Sequence, residues 1–176
     1  MLIGITGLAG AGKDTAAEII KSVDPRYKII HFADPLKEMC VKYFGLTEED
    51  VYTREGKAKF NEFWNMTNRE ILQKIGTDAM RNGFKKDVWC KLTELIIIKS
   101  GCKHIVIPDV RFDDEATMIK KHGGVIIKVI RDNNELNANE CVHQSEKGID
   151  ETLVDFIIDN NYSIELLRDN IVSYCF

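Results

Sequence analysis

The chain has 176 residues, a net charge of −4, 30% charged residues and 44% hydrophobic residues. This is the size and balance of one folded α/β domain with a sizeable core, not of a disordered segment. No Lys/Arg run suggests a nucleic-acid stripe and no apolar run approaches a membrane span, so neither a nucleic-acid polymer nor a membrane is an expected partner. The N-terminus reads as a core strand and not as a signal peptide. Five cysteines (Cys40, Cys90, Cys102, Cys141, Cys175) form no C-x-x-C pair. That pattern fits free thiols in a reducing cytoplasm, and Cys141 with His143 is too small a set to hold a metal.

Leu2–Thr6 is a short apolar run and predicts a first strand. Next comes Gly7-Leu8-Ala9-Gly10-Ala11-Gly12-Lys13-Asp14-Thr15, and then Ala16 to Ile20 with apolar residues at helical spacing. Strand, glycine-rich turn and helix are the setting of a phosphate-binding loop. Glycines let successive N–H groups curl around an anion, the helix start adds unpaired N–H groups and a positive dipole end, and Lys13 supplies a point charge. Asp14 stands where Ser or Thr normally follows the lysine, and Thr15 comes one place later. Mg²⁺ accepts carboxylate and hydroxyl oxygens, which makes Asp14 and Thr15 the candidate metal ligands.

Asp24-Pro25 ends the helical pattern, and Lys28–Phe32 predicts a second strand with His31 at its end. Asp34 and Pro35 then open a helix whose stripe is Leu36, Met39, Cys40 and Tyr43, with Gly45 as its stop. Residues 46 to 66 read as irregular, with a short capped helix at Thr47–Asp50. Their basic residues are interleaved with Tyr52, Phe60, Phe63 and Trp64, which suits a solvated insertion packed by its aromatics better than substrate contact. Thr67-Asn68-Arg69-Glu70 is a capping box. The helix it opens buries Ile71, Leu72, Ile75, Ala79 and Met80, and carries Arg69, Gln73, Gly76 and Thr77 on another face. A glycine there costs about 1 kcal/mol against alanine; either a ligand or a neighbouring helix would account for it.

A helix follows from about Asp87 to Ser100, with Trp89 near its start as core or as a pocket wall. Lys103–Ile107 predicts a buried parallel strand, ending in Pro108-Asp109-Val110-Arg111-Phe112. Open α/β sheets bind ligands beyond the carboxyl ends of their strands, where Asp109 and Arg111 fall. Val125–Ile130 predicts a fourth strand ending at Arg131, Phe156–Ile158 a fifth, and Ser163–Tyr174 a closing helix. The polar stretch from 132 to 148 is a lid or a surface loop. The expected fold is a P-loop NTPase-type three-layer α/β/α domain with a five-stranded, mainly parallel sheet. It spans residues 1–176, with a substrate-binding helical insertion at about 46–100 and a lid at about 132–148.

The Gly7–Thr15 loop with its G-K-D-T ending, Phe32-Ala33-Asp34-Pro35-Leu36-Lys37, Leu72-Gln73-x-x-Gly76-Thr77, Trp89, Asp109-x-Arg111-Phe112-x-x-Glu115 and His143-x-Ser145-Glu146 together resemble the bacteriophage deoxynucleoside monophosphate kinases. The resemblance covers positions 3 to about 146. It implies ATP- and Mg²⁺-dependent phosphoryl transfer to a deoxynucleoside monophosphate in the cytoplasm, the host's for a viral chain. Gly10, Ala11, Gly12, Lys13, Asp14 and Thr15 would then hold the ATP phosphates and metal. Arg69, Gln73, Gly76, Thr77, Trp89, Asp109, Arg111 and Glu115 would line the monophosphate site, which decides the Arg69–Thr77 face for function. Lids of nucleotide kinases bring arginines to the transferring phosphate, and none lies between 132 and 148. Either Arg131 or Lys147 would then substitute, or the charge would come from Arg111; Lys13, Arg111 and Arg131 are the candidate catalytic residues. A dephospho-coenzyme A kinase-like enzyme or a non-catalytic nucleotide-binding module is the alternative reading. A GTPase would need an N-K-x-D-like guanine reader, which is absent. A homodimer is compatible with the sequence but does not follow from it.

Overall fold

The computed structural model describes residues 1–132 and 148–175. These divide into two compact units, one of residues 1–31 with 96–132 and 148–175, and one of Phe32–Leu95.

The first unit is built on a five-stranded sheet: β1 (Leu2–Thr6), β2 (Lys28–Ile29), β5 (Ile105–Ile107), β6 (Val125–Ile130) and β7 (Phe156–Asp159). Its order is β2-β5-β1-β6-β7, with all pairs parallel. β1 lies in the middle and all five of its residues are buried. Its alternate side chains serve opposite faces, as strand geometry requires. Ile3 and Ile5 join Ala16, Ala17 and Ile20 of α1 (Lys13–Val23) and Leu167 and Ile171 of α8 (Ile164–Cys175) in one core. On the other face a Cβ on Gly4 would fall 2.6 Å from Ile119 Cδ1 of α7 (Asp113–Lys121). Helices therefore cover both faces of the sheet, in three layers. Each fully buried isoleucine contributes about 1.5–3 kcal/mol, so this core is the main support of the loops at the strand ends. The expected second strand is shorter than its apolar run. Ile30 still donates to Val106 O at 3.1 Å, but β2 is an edge strand and its pairing ends there.

The second unit contains α2 (Asp34–Phe44), α3 (Glu48–Tyr52), α4 (Arg54–Ala58), the hairpin of β3 (Phe60–Asn61) and β4 (Met66–Thr67), and α5 (Asn68–Gln73). Gly45 ends α2 in the left-handed conformation at φ 72°. The segment 46–66 is far more regular than its sequence predicts. Thr47 and Asp50 form a capping box on α3, Thr53 Oγ1 accepts the Gly56 N–H at the start of α4, and Asn65 turns the hairpin at φ 52°. Cys40, Leu46, Val51 and Ile71 form the buried core of this unit. Trp64 packs beside them, donates to Phe44 O at 2.9 Å and meets the rings of Phe44 and Phe63.

The Thr67–Glu70 capping box is present and starts α5 as expected. The helix does not continue as a plain α-helix. Lys74–Phe84 is π-helical, with Lys85 N–H donating to Met80 O five residues back at 2.9 Å. Extended π-helix is rare and concentrates at functional sites. α6 (Val88–Ser100) straddles the division between the units.

Candidate active site

The loop after β1 has the backbone that its glycines predict. Gly7, Gly10 and Gly12 all lie at positive φ, at 145°, 78° and 100°. Two of them are also constrained by close approach. A Cβ on Gly7 would fall 2.3 Å from Val129 O, and one on Gly12 2.3 Å from Asn160 Nδ2. Asn160 donates from that nitrogen to Ala11 O at 2.8 Å, so a residue beyond β7 holds the loop from outside. Ala11 is itself part of the core. α1 then begins at Lys13, and Ala16 N–H returns to Gly12 O at 2.9 Å.

Lys13 Nζ donates to Gly7 O and Leu8 O, both at 2.8 Å. The ammonium thus lies across the mouth of the loop, where an anion seated on the N–H groups would meet it. Asp14 and Thr15 occupy the exposed first turn of α1. The Asp14 side chain is 88% exposed, with Oδ1 3.8 Å from Nε2 of His31, two residues past β2.

β5 pairs with β1 through Gly4 and Ile107, so the loop carrying Asp109 leaves the sheet beside the phosphate loop. Val110 N–H donates to Ile5 O at 3.2 Å and fixes that neighbourhood. Asp109 and Arg111 are half-buried. Glu115, expected to line the monophosphate site, braces the turn before α7. It is 3% exposed, and its Oε2 accepts the N–H groups of Arg111 at 2.8 Å and Phe112 at 3.1 Å. It shapes the turn that presents Asp109 and Arg111. Arg131 is exposed just past β6. Beside it, Asp132 and Asn161 exchange hydrogen bonds at 2.7 and 2.8 Å and tie the exits of β6 and β7. The expected lid at about 132–148, with Lys147 and the His143-x-Ser145-Glu146 block, lies outside the described residues apart from its two ends.

In the second unit Arg69 and Gln73 are half-buried on α5, and Gly76 and Thr77 are buried in the π-helical segment. Trp89 is buried and donates from Nε1 to Gly76 O at 2.9 Å. A Cβ on Gly76 would fall 2.6 Å from Leu36 Cδ2 of α2. Leu36 thus packs directly onto Gly76. Arg81 is 4% exposed in the same segment. The signal was present four residues after Thr77, but a lone arginine in an amphipathic pattern reads as surface. Asn160 was missed because its role exists only across the fold.

A glycine-rich anion loop with its lysine, between a central parallel strand and its helix, defines a P-loop nucleotide-binding protein. A solved structure, dephospho-CoA kinase from Campylobacter jejuni, shares this fold with a TM-score of 0.53 at 17% identity, over 98% of this chain and 94% of that one. The family model for deoxynucleotide monophosphate kinase matches residues 47–171. A protein of Acanthamoeba polyphaga mimivirus named for the same activity is 35% identical over 98% of this chain and 95% of its own. The deoxynucleotide monophosphate kinase of Enterobacteria phage T4 is 26% identical over 89% of this chain and 66% of its own. The chain belongs to the deoxynucleotide monophosphate kinase family. It is a kinase.

Proposed function

We propose that the protein transfers the γ-phosphoryl group of ATP to the 5′-phosphate of a deoxynucleoside monophosphate, yielding ADP and the deoxynucleoside diphosphate. The carrying observation is the Gly7–Gly12 loop, with three positive-φ glycines and Lys13 Nζ across its mouth. Such transfer asks the protein chiefly to align the two phosphates and to offset their charge. The loop N–H groups and Lys13 hold the donor phosphates. Arg69 and Arg111 neutralise the acceptor phosphate, and Arg131 adds charge toward the transferring group. Gln73, Thr77 and Trp89 orient the acceptor nucleoside, and Asp109 works from the turn that Glu115 shapes.

Mg²⁺ fits the oxygens present. It takes one or two protein oxygens and completes its shell with phosphate and water, and Asp14 and Thr15 supply an exposed carboxylate and hydroxyl in the first turn of α1. Among the described residues no group of three or more His, Cys, Asp or Glu gathers for a metal. When bound, the ion would offset phosphate charge. No helix among the described residues is long and apolar enough to cross a membrane.

The test is ADP release from ATP and Mg²⁺ with each deoxynucleoside monophosphate, with dephospho-coenzyme A, and with no acceptor. ADP produced only with deoxynucleoside monophosphates is the expected result. Release only with dephospho-coenzyme A, or ATP binding without release on any acceptor, overturns the proposal. Arg69→Ala and Arg111→Ala should each raise the acceptor KM about tenfold or more and leave the ATP KM nearly unchanged, as the loss of one charge-assisted hydrogen bond requires.

A further inference from the structure

The first turn of α2 belongs to a block on which the family resemblance rests, yet none of its residues has a role so far. Lys37 Nζ stands 3.9 Å from Asp34 Oδ1 and 4.3 Å from the centroid of the Tyr52 ring. The Lys37 side chain is 13% exposed and that of Asp34 25%. The ammonium is thus taken up between carboxylate and ring, and the carboxylate is the more open partner. Tyr52 completes the group. Its hydroxyl bonds to Asp34, and burial first, then the Asp34, Glu48 and Glu38 charges, push its titration up, so it remains a phenol donor at neutral pH.

An acid at a helix start needs only a solvated position to favour the dipole. Burying a lysine behind it costs side-chain entropy and desolvation that this role does not require. The arrangement instead resembles a carboxylate held in one orientation by two side chains, from α2 and from α3. The turn is fixed further by Pro35 at the helix start and by Leu36, which packs onto Gly76 beside Thr77. Asp34 is therefore anchored to the segment that carries the proposed nucleoside-orienting residues.

A carboxylate is an acceptor with about four lone-pair sites, so it can take a further donor beside the partners it has. It repels phosphates and suits a hydroxyl or an N–H. In a deoxynucleoside monophosphate the donor that is present whatever the base is the 3′-hydroxyl. We propose that Asp34, held by Lys37 and Tyr52, accepts a hydrogen bond from the 3′-hydroxyl of the acceptor deoxyribose and selects for it. This rests on the nucleotide reading given above.

The experiment compares kcat/KM and calorimetric affinity for deoxynucleoside monophosphates and their 2′,3′-dideoxy counterparts of the same base. The wild type should prefer the hydroxyl-bearing form by about tenfold to a hundredfold, the range of a hydrogen bond to a charged group. In Asp34→Ala that ratio should fall close to one, and in Asp34→Asn, which keeps the shape, it should fall part of the way. The ATP KM should stay unchanged in both. Because the ratio is internal to each variant, partial loss of folded protein does not disguise it, and Asp34→Asn serves if Asp34→Ala does not fold. A wild type that does not discriminate, or folded variants that keep the wild-type ratio, overturn the proposal and leave the kinase reading intact. Variants that lose preference among bases at an unchanged ratio overturn it in favour of a base contact. A wild type that neither binds nor phosphorylates any deoxynucleoside monophosphate overturns the nucleotide reading first, and this proposal with it.

Discussion

Leu36 occupies the space that a side chain on Gly76 would need, with Cδ2 2.6 Å from where that Cβ would be. Alanine at 76 should gain about 1 kcal/mol of helix propensity and lose about 1–3 kcal/mol by displacing Leu36 and the Trp89–Gly76 hydrogen bond. The expected net effect is a loss of about 1 kcal/mol, because Leu36 Cδ2 is a movable methyl group and can yield. At Gly56 the obstacle is backbone. A Cβ there would fall 2.1 Å from Glu49 O, which cannot move without unwinding α3. Gly56→Ala should therefore cost about 3 kcal/mol or more. Denaturant midpoints for the two variants check the order. A Gly76→Ala protein of unchanged stability that has lost acceptor affinity would make Gly76 a binding residue and not a packing one.

Lys13 already bonds two carbonyls of its own loop, so it has a structural as well as an electrostatic task. Lys13→Met keeps the length of the stem and removes the charge. Turnover should fall by two orders of magnitude or more, a barrier change of about 2.7 kcal/mol or above. Circular dichroism should remain that of the wild type. A folded variant that retains a tenth of wild-type turnover counts against the phosphate-loop assignment.

Asp14 places a carboxylate next to where a triphosphate would bind. Unoffset, that repulsion is worth about 1 kcal/mol in bulk water at 4 Å and more as water is excluded. If Mg²⁺ provides the offset, Asp14→Asn should need several-fold more Mg²⁺ for half-maximal rate. ATP binding in EDTA, measured by calorimetry, should be no weaker than wild type. An unchanged Mg²⁺ requirement would reduce Asp14 to a helix-start charge worth about 0.3–1 kcal/mol and move the metal to Thr15 and Asp109.

Asp50 closes the capping box of α3. Its titration lies below the ordinary 3.8, chiefly because it accepts the Thr47 N–H; burial opposes this, and the Thr47 hydroxyl, Lys59 and Asn68 add to it. A carboxylate lowered in the folded state stabilises fully above its unfolded pKa, and that stability disappears as pH falls through the folded value. Acid unfolding should therefore include a component below pH 3.8 that Asp50→Asn abolishes. Identical acid profiles for the two proteins would remove Asp50 from the account.

The parts legible in the sequence are those whose causes lie within a few residues of each other. The β1–loop–α1 unit, the Thr67–Glu70 box, the Gly45 stop and the alternation of buried strands and helices depend on periodicity, glycine φ and hydrogen bonds spanning three or four positions. Together they identified the fold class and the phosphate loop, and the family resemblance followed from short blocks in order. Tertiary structure decided what depends on distant partners. The strand order sets the Asp109 loop beside the phosphate loop, although about a hundred residues separate them. Asn160 reaches Ala11 across 149 positions. Leu36 packs onto a glycine forty residues on, and the π-helical turn at 74–84 replaces the α-helix that the 3.6-residue period predicts. Glu115 serves backbone N–H groups because the turn before α7 folds over it. Such contacts follow from which apolar faces pack together. Local spacing constrains that choice only weakly, because many packings satisfy one pattern of buried residues.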